Sequence, residues 1–235
     1  MASRPSSPSP SSSDSDDDTK NWLKGTAFIL YGAERDYEFE IEAEELQDAL
    51  LDLNYIVEIR ILRGMGVEDP IELFKEWLGR MDNDETVSIV LAFSGHGMAM
   101  GGRLLVCDEK APELYDFTSL QEYLRDHGQA DALTIFNCCC SGQALQPRPL
   151  DFIPPAPLRH EDRRVETLAA CDDVTSTMGR GFHKRLVEAL WTTGKTVEEL
   201  YNERIYQAED KSSPGVYRNE LADGSSQLWG ILNDL

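Results

Sequence analysis

The chain has 235 residues, with 43 acidic and 22 basic side chains, for a formal charge of −21 and a pI of about 4.4. Phosphate recognition needs a basic face, so this balance argues against a nucleic-acid binder and leaves little to hold an anionic membrane. An acidic surface favours solubility and attracts cationic segments of a substrate or partner.

Five cysteines are an odd number, and three of them, Cys138, Cys139 and Cys140, are consecutive. Neighbouring thiols rarely pair, and three adjacent ones do not converge on a single ion. The expectation is therefore a cytoplasmic protein with reduced thiols, with neither a disulfide scaffold nor a zinc module, and no cofactor. The first ten residues hold no apolar stretch of the secretory kind. The longest apolar run, residues 87–93 with Ser88 inside it, falls far short of the roughly 20 residues a membrane helix needs.

Residues 1–20 are dominated by Ser, Pro and Asp and bury too little to offset chain entropy, so a disordered tail is expected. Ser13 and Ser15, ahead of Asp16, Asp17 and Asp18, fit an acid-directed kinase, and the same composition also serves a plain solubilising tail. Residues 21–235 read as one domain. A short apolar run at 26–31, ending at Gly32, predicts a buried strand. Leu46, Ala49, Leu50 and Leu53 recur at helical spacing and give a helix one apolar face. The β-branched residues within 55–62 predict a second strand. Asp69 before Pro70 is an N-cap with proline in the first turn, opening a helix that buries Ile71, Phe74 and Leu78. Residues 87–93 are almost continuously apolar, as in a strand covered on both faces.

Thr118 and Gln121 have capping-box spacing for a helix carrying Leu120, Tyr123 and Leu124. Residues 132–136 form a fourth strand. The stretch 143–164 contains five prolines and reads as a long exposed connection. Beyond it come a strand at 165–171, a helix burying Phe182, Leu186, Val187 and Leu190, a helix capped by Thr196 with Glu199, and a last strand at 227–232. Strands separated by helices pair mostly in parallel through right-handed crossovers. The expectation is a three-layer α/β/α sandwich around a mostly parallel six-stranded sheet, with its site beyond the carboxyl ends of the strands.

Two of those strand ends hold reactive residues. The strand at 87–93 empties into Ser94-Gly95-His96-Gly97, and the strand at 132–136 into Asn137-Cys138-Cys139-Cys140-Ser141-Gly142. If the strands are neighbours, an imidazole and a thiol face one another at the sheet's edge. Histidine can withdraw a thiol proton, and the thiolate attacks a carbonyl. The glycines let backbone N–H groups approach a developing oxyanion. Cys138, Cys139 and Cys140 are all candidates for the nucleophile on this reading.

The pair Ser94-Gly95-His96-Gly97 and Cys138-Cys139-Cys140-Ser141-Gly142, with 43 residues from His96 to Cys139, resembles the metacaspases and the wider caspase-like peptidases. The likeness extends to Glu42-Ala43-Glu44-Glu45-Leu46 leading to Leu53-Asn54-Tyr55, and to Ala170-Cys171-Asp172-Asp173 with Thr175-Ser176 and Gly181-Phe182. It implies a caspase-like sandwich in which 21–142 is large-subunit-like, 143–164 the linker and 165–235 small-subunit-like. The family register selects Cys139 as nucleophile and His96 as general base and acid, with oxyanion N–H groups from Gly97 and Cys139. Cys140 stands where metacaspases usually have a second histidine.

The resemblance also locates a specificity pocket at Glu42, Ser94 and Asn137. Metacaspases usually hold a basic P1 side chain between two carboxylates. Here one is Glu42, with Asp36 as a second candidate if the alignment slips, and the other is replaced by Asn137. An amide gives up a charge-assisted hydrogen bond. Caspases, which read Asp at P1, have an amide at that position beside arginines, and Arg35 falls one position from where such an arginine comes. A basic P1 is the first expectation and an acidic P1 the alternative.

In such enzymes the 143–164 linker is where the chain is cut. Arg148, Arg159, Arg163 and Arg164 suit a basic-P1 enzyme cutting itself, and Asp151 and Asp162 an acidic-P1 one. No calcium is expected, because residues 98–103 are short and glycine-rich and only Asp108, Glu109 and Glu113 follow. Protein or peptide substrates are the expected partners, the chain acting as monomer or homodimer, with regulated cell death as the role the resemblance implies. The other class of reading is a pseudopeptidase that binds partners through the same fold, motivated by Asn137 and Cys140.

Overall fold

The computed structural model describes residues 24–32, 38–62, 69–82, 86–107, 114–142, 163–171, 181–192, 195–205 and 216–219. The 1–20 tail, Arg35, Asp36, Asp108, Glu109, Glu113, residues 143–162 of the connection and the expected strand at 227–232 lie outside them.

Ala27, Phe28, Ile29 and Leu30 alternate small or branched side chains with larger ones and are all fully buried, at the centre of β1 (Lys24–Gly32). β1 pairs in parallel with β2 (Tyr55–Leu62) on one side and with β3 (Thr86–Met100) on the other. β3 overshoots the parallel sheet and returns as β4 (Arg103–Cys107), which pairs with β5 (Leu114–Asp116). β6 (Asp131–Cys138) lies parallel beside β3, and β7 (Val165–Ala169) beside β6. β8 (Val216–Asn219) follows, antiparallel to β7. The main order is β2-β1-β3-β6-β7-β8.

The alternation in β1 is what a strand with two covered faces requires. On one face Ile29, Val90, Ala92 and Ile135 meet Leu46 and Leu50 of α1 (Glu38–Asp52) and Phe182 and Leu186 of α4 (Gly181–Leu190). α5 (Val197–Leu200), running on into a π-helical turn at Tyr201–Ile205, joins the same side through Val197, Leu200 and Ile205. On the other face Phe28, Leu91, Phe93 and Phe136 meet Phe74 and Trp77 of α2 (Pro70–Met81) and Phe117 and Leu120 of α3 (Phe117–His127). Each such large side chain is worth about 1.5–3 kcal/mol on leaving water. The result is the expected three-layer α/β/α arrangement with a mostly parallel sheet.

Several local signals are met in detail. Asp69 caps α2, its Oδ1 accepting the Ile71 N–H at 2.9 Å, with Pro70 opening the helix. Thr196 and Glu199 form a reciprocal capping box. Leu46, Ala49 and Leu50 are buried on α1, and Leu53 packs against the same core just past the helix end.

Two expectations need correction. The strand count rises from six to eight among the described residues, because β3 does not stop at Phe93. Gly101 and Gly102, at φ +61° and +79°, make a two-residue reversal that right-twisted hairpins favour and side chains resist. Residues 98–103 are therefore the tip of a hairpin. Among the described residues the main run has six members and ends at β8. Finally, α3 is capped by Asp116, whose side chain accepts the Ser119 N–H at 3.2 Å. Thr118 accepts instead from the Leu104 N–H at 2.8 Å, and Gln121 is buried, donating to the Thr167 hydroxyl at 2.8 Å. Arg103 fixes the hairpin to α3 through Asp116, Ser119 and Glu122.

The connections between the first strands set the position of the site. α1 links β1 to β2 over one face, and β3 lies on β1's opposite side, so the direction of winding reverses between β1 and β3. A crevice opens beyond the carboxyl ends of strands at such a reversal. No helix among the described residues is long and apolar enough to cross a membrane.

Candidate active site

The β3–β6 register pairs Ser94 with Asn137 and Gly95 with Cys138. His96 and Cys139 are the next residues along the chain, His96 continuing in β3 opposite Cys107 of β4 and Cys139 entering the turn past β6. Beyond Cys138 the chain turns through Cys139 and Cys140, and Cys140 takes φ 55°. Left-handed backbone costs a side-chain-bearing residue about 1–2 kcal/mol, so the surrounding contacts hold this turn against that preference.

Gly97 shows how closely the two ends approach. A Cβ placed on it would lie 2.5 Å from the Cys139 carbonyl oxygen and 2.8 Å from Cys138 Sγ. Glycine here serves close backbone passage, since its φ is not among the positive ones. The imidazole of His96 meets Phe39, in the first turn of α1, edge to face at 5.0 Å between ring centroids. His96 and Cys139 are both half-buried.

The three expected pocket residues come together. Asn137 Nδ2 donates to Glu42 Oε2 at 2.7 Å and to Ser94 Oγ at 3.0 Å, and the Ser94 hydroxyl donates to the same Glu42 oxygen. Glu42 reaches the strand ends because α1 begins directly over them. It is only 4% exposed, so any cation reaching this oxygen would compete with Asn137 and Ser94 for it. Hydrogen bonds to a carboxylate are about twice as strong as neutral ones, which makes this a stiff wall. Arg35, the other expected pocket residue, lies outside the described residues.

Beneath the turn, Ser141 and Cys171 are fully buried. The Cys171 N–H donates to Ser141 Oγ at 3.1 Å, and the Cys171 thiol donates to the Cys138 carbonyl at 3.4 Å. The linker arginines at its far end are committed to the fold. Arg163 donates to the carbonyls of Leu124, Arg125 and Ala130, closing the C-terminus of α3, where a cation also suits the helix dipole. Arg164 donates its N–H to Asp131 at 2.9 Å. Among the described residues no three His, Cys, Asp or Glu side chains gather as a metal site needs.

Of the residues named from sequence, Glu42, Ser94 and Asn137 bond to one another and Gly97 packs on Cys138 and Cys139. The contact of Phe39 with His96 and the bonds of Ser141 and Cys171 were not anticipated. Phe39 sits in a stretch, Tyr37-Glu38-Phe39-Glu40-Ile41-Glu42, that alternates like a strand although it starts a helix. A signal existed: an aromatic side chain three residues before the candidate acid, on the same helical turn.

No protein-family model and no curated protein matches the chain in sequence. Solved structures match it in fold. The Drosophila initiator caspase Dronc does so with a TM-score of 0.56 at 10% identity, over 84% of this chain and 80% of that one. Caspase-1 from Spodoptera frugiperda gives 0.55 at 14%, covering 85% and 87%. A Geobacter sulfurreducens protein gives 0.57 at 11%, covering 83% and 93%. At these identities the likeness is one of fold, that of caspase-like peptidases, and it leaves the chemistry to the residues at the strand ends.

Proposed function

We propose that the chain is a cysteine endopeptidase that hydrolyses peptide bonds through Cys139 and His96, after a basic P1 residue. The observation that supports this is the β3–β6 register: Ser94 pairs with Asn137 and Gly95 with Cys138, so His96 and Cys139 each follow a paired position by one residue. His96 takes the Cys139 thiol proton and the sulfur attacks the scissile carbonyl carbon. The carbonyl oxygen, now negative, is met by the N–H groups of Gly97 and Cys139. The C–N bond then breaks, His96 returns the proton to the leaving amine, and water hydrolyses the thioester.

Glu42 supplies the charge that selects an Arg or Lys side chain. Asn137 and Ser94 hold that carboxylate in place and leave it the pocket's acid. A chain with pI 4.4 also draws basic segments toward it. Self-cleavage, in this reading, falls at Arg148 or Arg159, because Arg163 and Arg164 are held by α3 and Asp131.

The test is a panel of fluorogenic peptides with Arg, Lys or Asp at P1, read with wild type, C139A and H96A. Turnover of the Arg and Lys peptides that both substitutions abolish supports the proposal. Cleavage after Asp instead assigns the pocket to the acidic alternative. A folded protein that turns over none of them while C139A behaves identically leaves only the partner-binding reading.

A further inference from the structure

We infer that Ser141 and Cys171 are positioning residues for Cys139: together they form a buried clamp that holds the turn carrying the nucleophile. The inference rests on the peptidase reading for its functional consequence, but its geometry stands apart from it.

β6 and β7 run in parallel up to Phe136 and Ala169, and the last ladder bond is from the Ala170 N–H to the Phe136 carbonyl at 2.9 Å. β7 ends there while β6 stays on β3 through Cys138, so the Cys138 carbonyl lies beyond the β6–β7 ladder. Cys171 takes it over with its thiol at 3.4 Å. The same residue donates its N–H to Ser141 Oγ at 3.1 Å, and the Ser141 hydroxyl in turn faces the Cys171 carbonyl at 3.4 Å and sulfur at 3.5 Å. Both side chains have no exposed surface, so a bond lost here is not replaced by water.

The bonds bracket the nucleophile. One falls on the residue before Cys139 and the others on the residue two beyond it, and all of them end on Cys171. The Cys139-Cys140 segment has to span two fixed points, which accounts for the left-handed Cys140. From the opposite side the Gly97 backbone packs against Cys138 and Cys139. The turn is therefore fixed from β7 as well as from β3. A shift of about 1 Å in a reacting group costs on the order of a hundredfold in rate, so loosening the β7 side is expected to act on kcat.

The experiment compares S141A, C171A and C171S with wild type. It reads kcat and KM on the best P1 peptide, together with hydrogen exchange of the amides at 138–142 and of a control peptide from α2. The expected result is that S141A and C171A lower kcat by about ten- to a hundredfold with KM little changed. Exchange rises in the turn and not in α2. C171S keeps a donor on the Cys138 carbonyl and stays near wild type. Should S141A fail to fold, C171A carries the test, since it removes the thiol alone and keeps the Cys171 N–H bond to Ser141. The inference is overturned if exchange and kcat are unchanged in both alanine variants, or if C171S is as impaired as C171A, or if KM rises while kcat holds. If wild type cleaves no peptide at all, the peptidase reading fails, and exchange in the turn alone decides whether the clamp exists.

Discussion

At the amino end of β3 the buried hydroxyl of Ser88 meets the Tyr55 phenol at 2.8 Å. Where the parallel pairing of the same strand ends, the buried hydroxyl of Ser94 meets the Glu42 carboxylate. The neighbours of each serine follow suit. Near the amino end, Asp82 accepts the N–H groups of Gln129 and Ala130, Arg163 closes α3, and Asp131 holds the Arg164 N–H. Each of these bonds satisfies a backbone end that the fold creates, as every buried terminus must be satisfied. At the carboxyl end the side chains of Glu42, Ser94 and Asn137, drawn from α1, β3 and β6, bind one another, beside a left-handed cysteine and a glycine pressed on the next turn. Around Ser88 most of these bonds end on backbone, whereas around Ser94 they join side chains from three separate elements.

The contrast is broken or sharpened by substitution at each end. The largest effect is expected from H96A, which should lower kcat/KM on the preferred peptide by about a thousandfold or more while the melting temperature stays close to wild type. G97A comes next. Its Cβ would meet the Cys139 carbonyl, so kcat should fall on the order of a hundredfold. The matched control is G79A on α2, where nothing lies within 4 Å. There the melting temperature should rise, by about 0.5–1 kcal/mol of stability, with cleavage unchanged. Equal losses of activity in the two variants would erase the distinction between the ends.

A smaller effect is expected in the pocket. E42Q removes the charge and keeps an acceptor for Ser94, so it should cut the preference for Arg over an uncharged P1 by about tenfold. N137D should raise it by setting a second carboxylate beside the first. A panel of P1 peptides reads both.

The smallest effect belongs to the amino end. Burial pushes the Tyr55 phenol above its ordinary value of 10.0, outweighing the Ser88 bond that pulls it down. The folded chain thus keeps a proton that the unfolded chain releases as pH passes about 10. The stability of the native state is fully present below that pH and declines above it. Y55F should be about 1 kcal/mol less stable than wild type near neutrality, with cleavage unaffected. That gap should narrow above about pH 10, as melting curves across the alkaline range would show.

The sequence carried much of this fold because both sheet faces are covered. Residues such as 27–30 and 89–93 are buried throughout, and continuous apolar runs are hard to mistake when turn residues bound them. Caps formed by adjacent residues, Asp69-Pro70 and Thr196 with Glu199, were equally plain. The hairpin was hidden because Gly101 and Gly102, which spell a loop locally, are what permit the reversal. The α3 cap was misassigned since Thr118 and Gln121 have partners distant in sequence, Leu104 and Thr167. In the site, reactive residue types beside glycine were legible from Ser94 through Gly97 and from Asn137 through Gly142. Phe39 and Cys171 were not, because their parts depend on a helix and a strand that only the tertiary structure brings alongside.

The most direct measurement is labelling with a peptidyl acyloxymethyl ketone bearing Arg at P1, followed by mapping of the modified cysteine in wild type and H96A. A single adduct on Cys139, formed in wild type and lost or greatly slowed in H96A, is the predicted result. An adduct on Cys138, Cys140 or Cys171, or labelling of Cys139 that proceeds equally without His96, would contradict the pairing of the two strand ends on which the proposed chemistry rests.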